Sequence, residues 1–389
     1  MSEKFSQVTN AALNITLPLK LMLLVALVAA MAVSSSAQTQ STTGTDEAVA
    51  AMITSTKTDP AISASASKSL IGLANAPKKP SAQGAGSENN AYIFVRGYAF
   101  SVNRSGGNPA VISSSGGGAI TAIDNFDYGT EGAVKFEAGW NGPHWGFRGS
   151  YFYTTQSAQE DRTGTAAAPF FVSPRPLNVT FTGFATANTP ATFRERFRLH
   201  VVDLEGTYKW FSPDWSVVLS AGVRIAPSRQ TYTAQDTFGA ATTENLNYTQ
   251  KRTGVGPTAA IDFRHRLGKS NWWITGDGRL AVLFGKLRET ATFSNSGGFS
   301  QTATRSDSRT TFVGEGELGL EYSWKFGSGN EFFLNGSFIV HHWNDIVNVM
   351  PVNPVGGSAF TTLDNPAAAS TRQGSLTFTG GAFSFGIRW

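Results

Sequence analysis

Ionisable side chains recur at every second position in several stretches of this chain. Lys135 and Glu137 stand two apart, as do Asp203 and Glu205, Asp262 and Arg264, Asp277 and Arg279, and Glu315 and Glu317. Arg148, Lys209, Arg224, Arg266, Glu321 and Arg388 extend the set. A spacing of two puts both members on one face of a β-strand, whereas residues two apart in a helix do not face the same way. Both signs of charge are mixed, so such a face could line a wet passage for small polar solutes. It could equally pair with itself and fill the space with salt bridges. A second candidate is His341-His342-Trp343-Asn344-Asp345, where His beside Asp offers the parts of a general base. Adjacent strand residues point to opposite faces, so only one of the two His could work from one side. His144, His200 and His265 are isolated, and spacing assigns them no acid or nucleophile. The plainer reading of the His pair is a polar rim. No catalytic, cofactor-binding or metal-binding set is assigned. Cysteine is absent, which excludes disulfides, thiolate metal sites and a lipidated N-terminal Cys.

The residues between the charges are apolar, and they define the elements. Trp215, Val217, Leu219, Ala221, Val223 and Ile225 oppose Ser216, Ser220, Gly222 and Arg224. Val202, Leu204, Tyr208 and Trp210 oppose Asp203, Glu205 and Lys209, and Val255, Ala259, Ile261 and Phe263 oppose Thr258, Asp262 and Arg264. Leu280, Val282 and Phe284 oppose Asp277 and Arg279, while Phe312, Leu318, Leu320, Tyr322 and Trp324 oppose the three glutamates. In the first such stretch Arg96 shares a face with Tyr92, Phe94, Tyr98 and Phe100, leaving Ile93, Val95, Gly97 and Ala99 opposite. The phase slips near Gly380-Gly381, which predicts a Gly-centred bulge.

Strand-like stretches at 91–102, 133–140, 144–154, 199–210, 215–226, 253–267, 272–290, 311–324, 331–343 and 375–389 are joined by two kinds of connection. Those at 141–143, 212–214, 268–271 and 327–330 are short turn sequences. Those at 103–130, 156–192, 229–248, 294–309 and 346–374 are long and polar. The two kinds alternate strictly. The expected fold is all-β, a transmembrane antiparallel up-and-down β-barrel of about ten strands, with eight or twelve also fitting; short turns face the periplasm and long loops the exterior. A soluble sandwich would bury the apolar faces instead, and alternation alone does not separate the two. The aromatics do. Trp140, Trp145, Trp210, Trp215, Trp272, Trp273, Trp324 and Trp389 lie near short turns or the C-terminus, as an interfacial girdle requires; Trp343 alone does not. The ending Phe383, Phe385, Ile387, Trp389 alternates toward a terminal aromatic, the form of a barrel-assembly signal.

Composition agrees. The 389 residues include 41 Gly and 12% aromatics, with only 15% charged, which suits an all-β chain. A net charge of +4 is too small to argue for nucleic acid. Lys4 and Lys20 precede an apolar run from Leu21 to Val33, and Ser35-Ser36-Ala37 follows as a cleavage-like site, so residues 1–37 are expected to be a signal peptide. That run is shorter than the ~20 residues of a spanning helix. Residues 38–90, rich in Ala, Ser and Thr, are expected to be a disordered periplasmic segment, and 91–389 the barrel.

Several central segments resemble a known family. They are Val202-Asp203-Leu204-Glu205-Gly206-Thr207-Tyr208, Ala221-Gly222-Val223-Arg224, Gly254-Val255-Gly256-Pro257, 276–285 and Glu315-Gly316-Glu317-Leu318-Gly319-Leu320. Together they are similar to the Legionella-type major outer-membrane-protein family of pore-forming barrels, over roughly 199–389. Some members carry cysteines, and this chain has none. The resemblance implies a porin-like role in the outer membrane and carries over no catalytic residue. Beside it stand a non-transporting surface or structural barrel that uses its long loops, and, less favoured, a barrel enzyme. Outer-membrane lipid, the barrel-assembly machinery and periplasmic chaperones are the expected partners. Self-association is left open.

Overall fold

Strands that alternate Val, Ile, Phe and Tyr with Thr, Ser and charged residues suit a pleated surface with two unlike faces. The computed structural model describes residues 90–104, 109–114, 120–163, 170–172, 190–238, 242–326, 330–349 and 372–389. The expected leader at 1–37, the segment expected at 38–90 apart from its last residue, and much of the expected loop at 346–374 lie outside these residues.

Ten strands close into one antiparallel barrel. They are β1 (Asn90–Arg104), β4 (Thr130–Asn141), β5 (Trp145–Thr163), β7 (Pro190–Ser212), β8 (Trp215–Phe238), β9 (Thr242–Arg266), β10 (Trp272–Asn295), β11 (Ser300–Phe326), β12 (Asn330–Val349) and β13 (Arg372–Arg388). The three remaining strands, β2 (Pro109–Ser114), β3 (Ile120–Asn125) and β6 (Phe170–Val172), form a small sheet of order β3-β2-β6 within two of the long connections. The first and last barrel strands pair from Tyr92↔Arg388 to Arg104↔Leu376. Beyond that ladder, Ala91 and Trp389 exchange two backbone hydrogen bonds of 3.0 Å. Closure leaves the barrel no free edge, the condition for backbone in lipid.

The turn at 268–271 shows why these sequences reverse the chain. Gly268 has φ +60°, where a side chain is disfavoured. Ser270 donates its hydroxyl to the Leu267 carbonyl at 2.6 Å and accepts from the Trp272 amide at 3.2 Å.

Three expectations change. First, 229–248 and 294–309 are not long loops. Apart from 239–241, outside the described residues, and the tight turn after Asn295, they are paired outer ends of β8, β9, β10 and β11. Their inward Tyr232, Ala234, Leu246, Tyr248, Ala291 and Phe293 pack into one buried cluster, which repays the strand conformation. Likewise β5 runs on to Thr163 and β7 starts at Pro190. Second, there is no bulge at Gly380-Gly381; both ladders of β13 run through it in register. The apparent slip arises because Leu376 and Phe378 face inward into an apolar layer, so the apolar face changes side. The irregularity lies instead in β12, between Trp343 and Val347. Third, Trp273 does not join the outward aromatics. It faces inward and donates from Nε1 to Ser323 at 3.0 Å.

The outward face is apolar around the barrel, with Ile93, Leu204, Leu219, Leu280, Phe284 and Leu318 exposed among others. Leu280 is 51% exposed at mid-strand. Leu280→Arg should therefore cost about 2–4 kcal/mol if it sits near the bilayer midplane, read as a lower denaturant midpoint for the protein in vesicles. An unchanged midpoint would place that face away from lipid.

Candidate functional site: the charged lumen

Every charged residue singled out by spacing projects to the inside of the closed sheet. The proof is contact between strands that are not neighbours, which only the bore can bridge. Arg148 on β5 reaches Asp262 on β9 at 2.7 Å. Arg279 on β10 reaches Asp203 and Glu205 on β7 at 2.8 and 2.7 Å. Arg224 on β8 holds Glu315 on β11 through two hydrogen bonds of 2.7 and 2.9 Å. Arg96 on β1 bonds Glu317 on β11. Local pairs complete the lattice: Lys135–Glu137 at 3.0 Å, Arg148–Glu205 at 2.5 Å and Arg224–Asp203 at 2.7 Å. Asp262 and Asp277 face each other directly across β9 and β10.

Toward the short-turn end a second group forms. Arg388 grips Glu321 with bonds of 3.0 and 2.9 Å and also holds Glu331 at 2.6 Å. Arg264 joins both carboxylates, at 2.5 and 2.7 Å, and stacks 3.7 Å from the Trp273 ring centroid. Between this group and the lattice lies a cavity of about 200 Å³. All ten barrel strands contribute to its wall, including Arg96, Glu137, Lys209, Asp262, Asp277 and Ser384.

Outward of the lattice the bore is filled. Phe100, Leu199, Leu283, Ile339, Trp343, Leu376 and Phe378 belong to one buried apolar layer. Trp343 is 1% exposed, and its ring lies 5.5 Å from the Arg224 guanidinium carbon. Here β12 leaves its register. Asp345 takes φ +54°, and its carbonyl accepts from Arg252 at 2.8 Å. The next carbonyl, of Ile346, accepts from Gln250 at 3.3 Å. Both donors are on β9, three strands away, so the bulge is drawn in over the lumen. Beyond it Arg104, Tyr128 and Gln230 converge on Glu195 at 2.5, 2.7 and 2.7 Å.

Sequence spacing did not single out Arg104, Glu195, Gln250 or Arg252. Arg104 falls in a stretch that reads as a loop, and Glu195, Gln250 and Arg252 fall between such stretches and the strands that follow; the signal for Glu195 and Gln250 is a spacing of two from Phe193, Phe197 and Tyr248, which puts them on one face. Of the two His, His341 faces the lumen, with Nε2 3.7 Å from Glu317, and His342 bonds Thr377 at 2.9 Å on the other face. Asp345 is engaged at the bulge rather than beside His341.

The aromatic residues read as a girdle stand at the short-turn end. Trp140, Trp145, Trp210, Trp272, Trp324 and Trp389 are exposed and Trp215 is half-buried. Trp145 and Trp210 each pack edge-on to Tyr208, at 4.9 and 4.7 Å. Phe383, Phe385 and Ile387 lie on the outward face of β13 above Trp389.

A family described as Legionella pneumophila major outer membrane protein precursor matches residues 126–387, well over half of the chain. The chain belongs to this family. The match reaches further toward the N-terminus than the short motifs at 199–389 and takes in nine of the ten barrel strands. As a member, it is an outer-membrane β-barrel. No curated protein gives a significant match. Among solved structures it is similar to the outer-membrane protease OmpT of Escherichia coli, at 8% identity and TM-score 0.38, over 78% of this chain and 97% of that one. A major outer membrane protein of Thermus thermophilus gives 11% identity and TM-score 0.26, over 76% and 98%. The Pseudomonas putida toluene transporter TodX gives 7% and 0.20, over 77% and 90%. These are remote likenesses, and the barrel stands on its strand pairing.

Proposed function

We propose that this barrel is a narrow, gated channel for small polar solutes or ions, without catalytic activity. The observation that carries the reading is the cavity of about 200 Å³ inside the bore, walled by all ten strands, eight of which contribute charged residues. A purely structural interior has no need of such a space. Ten strands stand close to the about eight whose interior side chains fill, far from the 16–18 that leave an open channel. Passage past the apolar layer therefore needs movement, and the β12 bulge is the part of the wall already out of register. A loop-facing or enzymatic role draws on none of these features.

A second reading, a closed structural barrel, is favoured by the ion-pair lattice and the apolar layer above it. Planar-bilayer conductance of the refolded protein separates the two. The wild type should show small, infrequent openings. Trp343→Ala with Phe378→Ala should raise both open probability and conductance, and Arg264→Glu should shift ion selectivity toward cations. Silence in all three, with barrels still heat-modifiable on gels, would leave the closed barrel standing.

A further inference from the structure

We infer that the outer surface of β7–β10 carries a binding site for a phosphorylated lipid headgroup in the leaflet nearest the long loops. The site is a row of four cations. Arg198, Arg229, Lys251 and Arg288 are direct cross-strand partners in sequence: Arg198↔Arg229, Arg229↔Lys251 and Lys251↔Arg288. All four are on the outward face; Arg229, Lys251 and Arg288 are exposed and Arg198 is half-buried. Opposed residues on neighbouring strands are about 5 Å apart, and like charges so placed repel. Among the described residues no carboxylate forms an ion pair with any of them. The nearest outward acid on β5, Asp161, is already held by Gln159 and Thr192 at 2.7 and 2.8 Å. The sheet therefore tolerates a four-cation row that only an outside anion relieves.

Position identifies the anion's source. Four residues inward on each of the same strands lies an outward apolar row, Val202, Ile225, Val255 and Phe284, paired in the same order. Four strand residues span about 13 Å. The cations thus sit beyond the lipid-facing band by the same number of residues on each of four adjacent strands. Lys286 lies between the two rows on β10 and is exposed. General solubility would spread such charge around the barrel. Instead the outward residues of β1 and β13 near this end are Ser101, Asn103, Thr377 and Thr379. The patch is one-sided, about 15 Å wide by strand spacing, and fits a headgroup with more than one phosphate. It is independent of whether the lumen conducts.

The test uses the refolded full chain in zwitterionic detergent, titrated with a diphosphorylated glucosamine glycolipid, its dephosphorylated form, or inorganic pyrophosphate. The diphosphorylated lipid should bind at least about tenfold more tightly than the dephosphorylated one, and R198Q/R229Q/K251Q/R288Q should lose about tenfold or more, as a cluster of basic residues at a lipid surface would. R198K/R229K/R288K should keep the wild-type affinity. Arg229→Gln alone, a milder change, should still weaken binding measurably if the quadruple variant fails to fold. Wild-type affinity in a Gln variant that remains heat-modifiable would overturn the site. Equal affinity for the dephosphorylated lipid would overturn the role of phosphate. Equal affinity for pyrophosphate would overturn the lipid as its source.

Discussion

Deleting Phe385–Trp389 should abolish the folded barrel altogether. These residues occupy the seam, where Phe385, Gly386, Ile387 and Arg388 pair with Val95, Phe94, Ile93 and Tyr92 on one side and with β12 on the other. Removing them strips partners from two strands at once. Each unsatisfied backbone group left in lipid costs on the order of several kcal/mol. The loss also frees Glu321 and Glu331 from Arg388. The sum exceeds the whole stability of a typical domain, roughly 5–15 kcal/mol. The truncated chain should be absent from the outer membrane and recovered, if at all, as periplasmic fragments. Trp389→Ala keeps both ladders, so a failure of that variant to insert would point to recognition by the assembly machinery rather than to closure. Normal surface levels of the truncated chain, with heat-modifiable mobility, would rule out this end as the closing strand.

The barrel is readable because its two environments differ so sharply. With lipid outside and charge inside, a strand such as 215–226 can alternate cleanly, and ten such strands with alternating short and long connections leave few other architectures. Where the environments stop differing, the pattern stops speaking. Beyond the lipid, Thr231, Thr233, Asn247 and Thr249 face water while Tyr232 and Tyr248 face a buried cluster, so a rigid double ladder looks like a polar loop. In β13 the inward Leu376 and Phe378 reverse the usual rule, and the reversal imitates a bulge. Trp272 and Trp273 both lie beside the same short turn, but as neighbours in a strand they face opposite ways, and only one can belong to the girdle.

Which charges meet is out of reach for another reason. Spacing of two identifies a face, but partners across the bore depend on strand tilt and stagger, which a closed sheet sets globally. Arg224 and Glu315 stand 91 residues apart, and nothing local joins them. The same global geometry explains why a chain read as a channel has its bore filled at mid-height. Charges that looked like a lining for solutes are largely committed to each other.

Glu205→Gln should show what that lattice is worth. Glu205 is 4% exposed and lies at the meeting point of two guanidinium groups. Arg148 donates to it at 2.5 Å, Arg279 at 2.7 Å and Ser220 at 3.1 Å. The amide keeps the shape but removes the charge, leaving Arg148 to Asp262 and a longer contact with Glu137, and Arg279 to Asp203 and a longer contact with Glu315. Breaking one partner of a buried ion pair typically costs about 3–5 kcal/mol. The expected result is a lower denaturant midpoint and a lower temperature for loss of the compact gel form. E205L/R148M/R279M should not recover that loss, since it takes Arg148 from Asp262, which faces Asp277, and removing one partner of a buried ion pair is strongly destabilising. Wild-type stability in Glu205→Gln would mean that water already solvates this layer. The bore would then be open at the height where the structure shows it closed.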